Sequence, residues 1–346
     1  MGRSPPTSAL ATRHARPVYV YAIQLQGLTT LATNMRRKNL PRPERQIFSA
    51  RCVPPGLPAV ATALGLLLVG CGTVDTPPDT PDGSLIVEQG PLAGPSVLVS
   101  IPLDGSDPVT LVPEWAGAAA GRWSPDGSRL VWIGTSVDGD AVVVAGKSEG
   151  GDSLLIATVG GGDTATWAPD CRRIAFSRRD EATGLRSIHL RILDSGDATP
   201  ITDGTGAEAA PDWSPTDDRL VFTSDRGGDT DIVVLDLSDG TERQLTDNTV
   251  GDTGPRWSPD GTRIVWAQRV NERKQIFVMG ADGSEARQLT TGGQGGEHPV
   301  WSPDGAWIAY QQGGTAIAIM RSDGSDHRTL TVVGTPTDWG PRSGSC

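Results

Sequence analysis

A chain of 346 residues with 44 glycines and 27 prolines shows no helical periodicity of useful length after residue 70, which excludes a helical bundle. Its formal net charge is −11. An acidic surface of that kind repels nucleic acid and anionic lipid, and it favours solubility or basic partners.

Residues 1–34 carry neither a domain pattern nor a signal, and they read as a non-native start or a disordered leader ahead of Met35. Arg36, Arg37, Lys38, Arg42, Arg45 and Arg51 then form a basic stretch, followed by residues 52–70, which contain no charge and end Leu64-Gly65-Leu66-Leu67-Leu68-Val69-Gly70-Cys71. A basic region, a short apolar core and small residues before a cleavage point describe a secretory signal over 35–70. Leu68-Val69-Gly70-Cys71 further resembles the bacterial lipobox, in which the cysteine is lipidated and becomes the mature N-terminus. Pro54, Pro55 and Pro58 argue against a membrane-spanning helix in the same stretch. Residues 71–80 are then a tether. Residues 1–70 hold nine Lys/Arg and one Asp/Glu, so the mature chain would carry 30 − 9 = 21 basic and 41 − 1 = 40 acidic groups, a net of −19.

From residue 81 the chain repeats. Trp123, Trp167, Trp213, Trp257 and Trp301 each open Trp-(Ser/Ala)-Pro, at separations of 44, 46, 44 and 44 residues. A period of that length marks one supersecondary unit that is stable only when stacked on its neighbours. One period before Ser124-Pro125-Asp126-Gly127 stands Pro81-Asp82-Gly83, a unit without its tryptophan, and Asp338-Trp339-Gly340 begins a copy that stops. Trp339 is therefore expected to complete the first unit. Within one copy, Ser258-Pro259-Asp260-Gly261 is a tight turn, Arg263–Trp266 and Gln275–Met279 are strands joined by a Gln268–Lys274 loop, and Arg287–Thr290 is a polar outer strand. Four strands per copy predict a six-bladed, all-β propeller of antiparallel blades over 81–342, with 343–346 as a tail. Ala168, Cys171 and Thr216-Asp217 depart from the turn consensus, so those turns should be less regular. The tryptophans read as wedges between blades.

The Trp-Ser-Pro-Asp-Gly repeat with its downstream Leu-Thr strand resembles the WD-like propeller repeat of TolB, the periplasmic component of the Tol-Pal system. The resemblance covers roughly residues 81–342 and implies a six-bladed propeller closed at Trp339. The separate α/β domain that precedes the propeller in TolB proteins has no room here, because about ten residues separate Cys71 from the first turn.

No motif of nucleophilic, metalloprotease or phosphate-binding chemistry is present. His189, His298 and His327 occupy different repeat positions, so a three-histidine metal site is not expected. Asp163, Glu208, Asp252 and Glu297 stand four or five residues before successive tryptophans, where loops converge on one mouth of the channel. They could form a partial negative ring that focuses its field on a basic peptide or cation. No cofactor is expected, although carboxylates from different blades could share calcium. Cys171 and Cys346 are expected as free thiols. The reading is a monomeric, lipid-anchored envelope module that binds a protein or basic peptide and is not an enzyme. The alternative is a hydrolase or lyase acting on an extracellular polymer with channel carboxylates as acid and base.

Overall fold

The structure, a computed structural model, describes residues 81–90, 95–115, 117–160 and 164–340. Cys71 and the rest of the export signal lie outside them. Six four-stranded antiparallel sheets are the six blades. Blade 1 holds β1 (Ser84–Gln89), β2 (Val97–Pro102) and β3 (Val109–Leu111); blade 2 holds β4 (Ala119–Trp123), β5 (Leu130–Thr135), β6 (Ala141–Gly146) and β7 (Leu154–Thr158). Blade 3 comprises β8 (Ala165–Trp167), β9 (Arg173–Arg179), β10 (Arg186–Ile192) and β11 (Thr199–Pro200), and blade 4 comprises β12 (Ala209–Trp213), β13 (Arg219–Ser224), β14 (Asp231–Asp236) and β15 (Glu242–Gln244). In blade 5 come β16 (Asp252–Trp257), β17 (Arg263–Val270), β18 (Arg273–Gly280) and β19 (Arg287–Gln288). In blade 6 come β20 (Glu297–Trp301), β21 (Trp307–Gln312), β22 (Ala316–Arg321) and β23 (Arg328–Val333). The last strand, β24 (Thr335–Gly340), pairs with β1 and supplies the missing inner strand of blade 1. Trp339 sits opposite Leu85, and its Nε1 donates to the Asp82 carbonyl at 3.2 Å.

Six apolar clusters, one at each junction between blades, form the core. Trp167, Trp213, Trp257, Trp301 and Trp339 are 4% exposed or less, each packed against the preceding blade, whereas Trp123 is half-buried. An arginine from the preceding blade covers three of these rings. Arg173 lies 4.8 Å from the Trp213 centroid, Arg219 5.1 Å from Trp257 and Arg263 4.7 Å from Trp301. A guanidinium over an indole adds roughly 0.5–2 kcal/mol to the burial. At the three junctions from blade 3 to blade 6 the wedge is thus an indole with an arginine lid.

The turn between the first two strands explains the Ser-Pro-Asp-Gly consensus. Ser258 Oγ donates to Asp260 and accepts the Arg263 backbone N–H at 2.9 Å, while the Gly261 N–H closes on the Ser258 carbonyl at 2.9 Å. The glycine sits at φ 70°, in the left-handed region. Cys171 takes that conformation in blade 3, at φ 52°, and keeps the turn bond to Ala168 at 3.0 Å. The irregularity expected there is absent; in blade 4, Pro215–Asp218 form a succession of bends. Cys171 is not a free thiol, as expected from sequence, but disulfide-bonded, its partner lying outside the described residues.

A second correction concerns Gln268–Lys274, expected as a loop. Gln268 pairs with Gln275, Arg269 with Lys274 and Val270 with Arg273, so β17 and β18 form a long hairpin that turns at Asn271, φ 56°. Asparagine tolerates that left-handed conformation, which lets a two-residue connection replace a loop.

Since a buried indole is lost together with its arginine lid, Trp257→Ala is expected to destabilise the fold by about 3–5 kcal/mol. Trp123→Ala, at the half-buried position, should cost less; urea unfolding of the two variants checks the order.

Candidate functional site

Each innermost strand enters from the end of the ring that also carries the loops between second and third strands. Backbone bonds tie these entries to the preceding blade: the Glu208 N–H donates to the Arg186 carbonyl at 3.0 Å, Asp252 to Thr230 at 2.8 Å and Gly296 to Lys274 at 2.8 Å. The candidate acids therefore sit where one blade is fastened to the next. Asp163 lies outside the described residues.

Their side chains differ sharply in exposure. Glu208 and Asp252 are both 0% exposed. Glu208 accepts from Arg226 at 2.9 Å, and Arg226 reaches on to Glu242 at 2.6 Å. Asp252 accepts the Trp266 indole N–H at 2.9 Å and the Asn248 amide at 3.0 Å. Only Glu297 of the three is partly exposed, and it pairs with Lys274 at 3.1 Å. The structure thus corrects the expectation of an open negative ring at two positions, because Glu208 and Asp252 are consumed by donors of their own blade and loop. Burial raises the Glu208 carboxyl above its ordinary value, against the Thr202 hydroxyl and the Arg226 charge. Burial also raises Asp252 above 3.8, against hydrogen bonds from Thr246, Trp266, Asn248 and Gln268. Asp231 is raised by burial and by the neighbouring charges of Asp229 and Asp252.

The channel itself holds charges that the sequence reading passed over. Ala120, Ala210, Gly254 and His298, each three residues before its tryptophan, have φ of 51°, 53°, 62° and 52°. The ladder in those four blades skips one residue there, a β-bulge in the inner strand. The residues just before the tryptophans are Arg122, Thr166, Asp212, Arg256, Val300 and Asp338. Four of them are charged, and three, Arg122, Asp212 and Arg256, meet. Arg122 of blade 2 donates to Asp212 of blade 4 at 2.6 Å, a contact between non-adjacent blades that must cross the channel. Asp212 also accepts the Trp257 backbone N–H at 2.8 Å and lies 3.8 Å from Arg256. Arg256 donates to the Thr337 carbonyl of β24 at 3.1 Å, and Asp338 accepts the Trp123 N–H at 2.8 Å. Arg122, Asp212 and Asp338 are 4%, 7% and 6% exposed. Two cations and two anions thus stand at equivalent positions of four inner strands, three of them buried and Arg256 partly exposed. The alignable signal was the position directly before each tryptophan, whose residue types swing between arginine and aspartate.

Among the described residues, no three His, Cys, Asp or Glu side chains come together in a way that could hold a metal ion. His189 stacks on Phe176 at 5.9 Å, His327 bonds the Tyr310 hydroxyl at 3.0 Å, and His298 occupies a bulge.

Removing one partner of a buried ion pair strands the other, so Asp212→Ala should cost about 3–5 kcal/mol in chemical unfolding. Asp252 supplies a pH test. A carboxyl raised in the folded state contributes stability that is fully present below 3.8 and lost as pH rises through its folded value. Asp252→Asn lacks that loss, so its stability relative to the wild type should climb as pH rises above 3.8 in denaturation series.

With the fold and site in view, comparison with known proteins gives one family match: the TolB beta propeller domain, over residues 164–343. Among solved structures the chain is similar to a putative TolB from Agrobacterium tumefaciens, at 24% identity and a TM-score of 0.55, covering 64% of this chain and 83% of that one. It is also similar to TolB from Acinetobacter baumannii, at 19% identity and a TM-score of 0.63, covering 74% of this chain and 65% of that one. An oligogalacturonate lyase in complex with manganese shares the fold at 16% identity and a TM-score of 0.53, covering 72% and 74%. The chain has no significant match among curated protein sequences. Five tryptophan-led repeats, six four-stranded blades and a family match over more than half its length together place this chain in the TolB beta propeller domain family.

Proposed function

We propose that the chain is an exported, lipid-anchored binding module of the cell envelope that holds a protein or peptide on the loop-bearing face around its channel mouth. The observation that carries the reading is the contrast between blades and loops. The sheets repeat, while the fully described connections between second and third strands range from two residues in blade 5 (271–272) to six in blades 3 and 4 (180–185 and 225–230). Variable loops on a rigid ring are where recognition is placed. The opposite face carries the repeated Asp-Gly and Ser-Pro-Asp-Gly turns. Export and anchoring rest on the basic stretch, the uncharged 52–70 segment and Leu68-Val69-Gly70-Cys71. Catalysis by channel carboxylates would need two acids free to act on a substrate, and Glu208 and Asp252 are each held by donors around them.

Photo-crosslinking residues placed at Val137, Glu181 and Asn271 on the loop face should yield protein adducts in cells, while the same groups at Asp194 and Asp239 on the opposite face should not. Adducts from the opposite face alone would overturn the assignment. Fatty-acid labelling should be lost in Cys71→Ser.

A further inference from the structure

Resting on the reading of the loop face as a binding surface, we infer that the cleft between blades 5 and 6, under the tip of the β17–β18 hairpin, binds an acidic peptide segment of the partner through Arg269 and Arg273. The cleft has a volume of about 220 Å³ and its charged walls are Arg269, Arg273 and Lys274 against Glu272 and Glu297, closed by the Gly313-Gly314 turn.

Charge is the first observation. Three cations lie within six residues of a chain whose net charge is −11. Arg269 stands directly opposite Lys274 in the ladder, a like-charge pair that weakens a hairpin. Lys274 is neutralised by Glu297 at 3.1 Å. Arg269 and Arg273 are exposed, and among the described residues neither makes a side-chain ion pair; Glu272, at the tip between them, is the remaining acid. A repulsive tip with two uncommitted guanidinium groups is complementary to carboxylates, which arginine grips in a bidentate fork.

The walls are the second observation. Gly295, Gly313 and Gly314 adopt φ of 71°, 60° and 86°. A Cβ on Gly295 would lie 2.8 Å from the Lys274 carbonyl, and one on Gly313 would lie 2.9 Å from Gln294 Oε1. Gly295 and Gly313 thus let the walls pack tightly on each other, and only Gly314 has open space where a Cβ would stand, so that one stretch of bare backbone faces an approaching chain. No aromatic ring lines the cleft, so the flat surface on which sugar rings stack is missing. That favours a peptide over an acidic polysaccharide. Blade 2 offers Asp138 and Asp140 at its tip, in blade 4 Arg226 is already bound to Glu208 and Glu242, and in blade 3 the exposed Arg178 and Arg179 stand beside the acids Asp180 and Glu181.

The test is fluorescence anisotropy with a labelled ten-residue glutamate peptide and, separately, a labelled oligogalacturonate, on the full chain. Wild type should bind the peptide, more weakly as salt rises, and R269E/R273E should lose at least tenfold in affinity, with R269Q/R273Q intermediate. Both positions are exposed, and an unchanged melting temperature verifies the fold. Failure of the peptide to bind, or binding indifferent to the charge reversal, overturns the cleft while leaving crosslinking at the loop face as an independent measure of the broader reading. Arginine-dependent binding of the oligogalacturonate alone overturns the peptide assignment.

Discussion

The inability of a single blade to bury both of its faces governs this molecule. Each sheet is apolar on both sides, and its junctions are sealed by tryptophans, three of them beneath an arginine from the neighbouring blade. A ring of such junctions is complete only if the last meets the first. β24 makes that closure by pairing with β1, which puts Trp339 where blade 1 has no tryptophan of its own. Closure also covers the two apolar blade faces that an open stack would leave exposed, through the cluster between blades 6 and 1.

Closure has an electrostatic counterpart on the axis. Bulges in the inner strands lie just ahead of Arg122, Asp212 and Arg256, and Asp338 brings the closing strand into the same set. Charges so buried are tolerable because Asp212 is paired with arginine and because each aspartate accepts a backbone N–H of the next tryptophan. The wedge and the channel network are therefore mechanically one object. The residue before the tryptophan locks the strand whose own tryptophan locks the junction.

The end of the ring that carries the loops between second and third strands is free of this repetition. There the buried acids serve as fasteners between blades, and the groups left to solvent are those on hairpin tips. The chain is acidic overall, yet the blade 5 tip is basic, so the sign of a whole-protein charge is a poor guide to the local surface that a partner meets.

Much of the fold was legible in the sequence. The 44-residue spacing, the Asp-Gly turns and the displaced Trp339 are local or periodic features, and they carry blade number, strand order and closure. Cys171 shows the limit of local reasoning: a non-glycine residue was expected to spoil its turn, but the surrounding hydrogen bonds hold it at positive φ. The Gln268–Lys274 segment looked like a loop because its residues are polar, whereas cross-strand pairing decides its structure. Glu208 and Asp252 looked like surface acids because their composition is that of solvated residues, and only the arrival of Arg226, Trp266 and Asn248 takes them inside. The channel network joins residues 122 and 212, ninety positions apart, and no periodic pattern states which side chains will meet across an axis. Sequence alone determined the repeat and the ring, since those follow from spacing and backbone preference. Which charges are buried together, and which remain to bind, was decided by tertiary structure, since burial depends on neighbours distant in the chain.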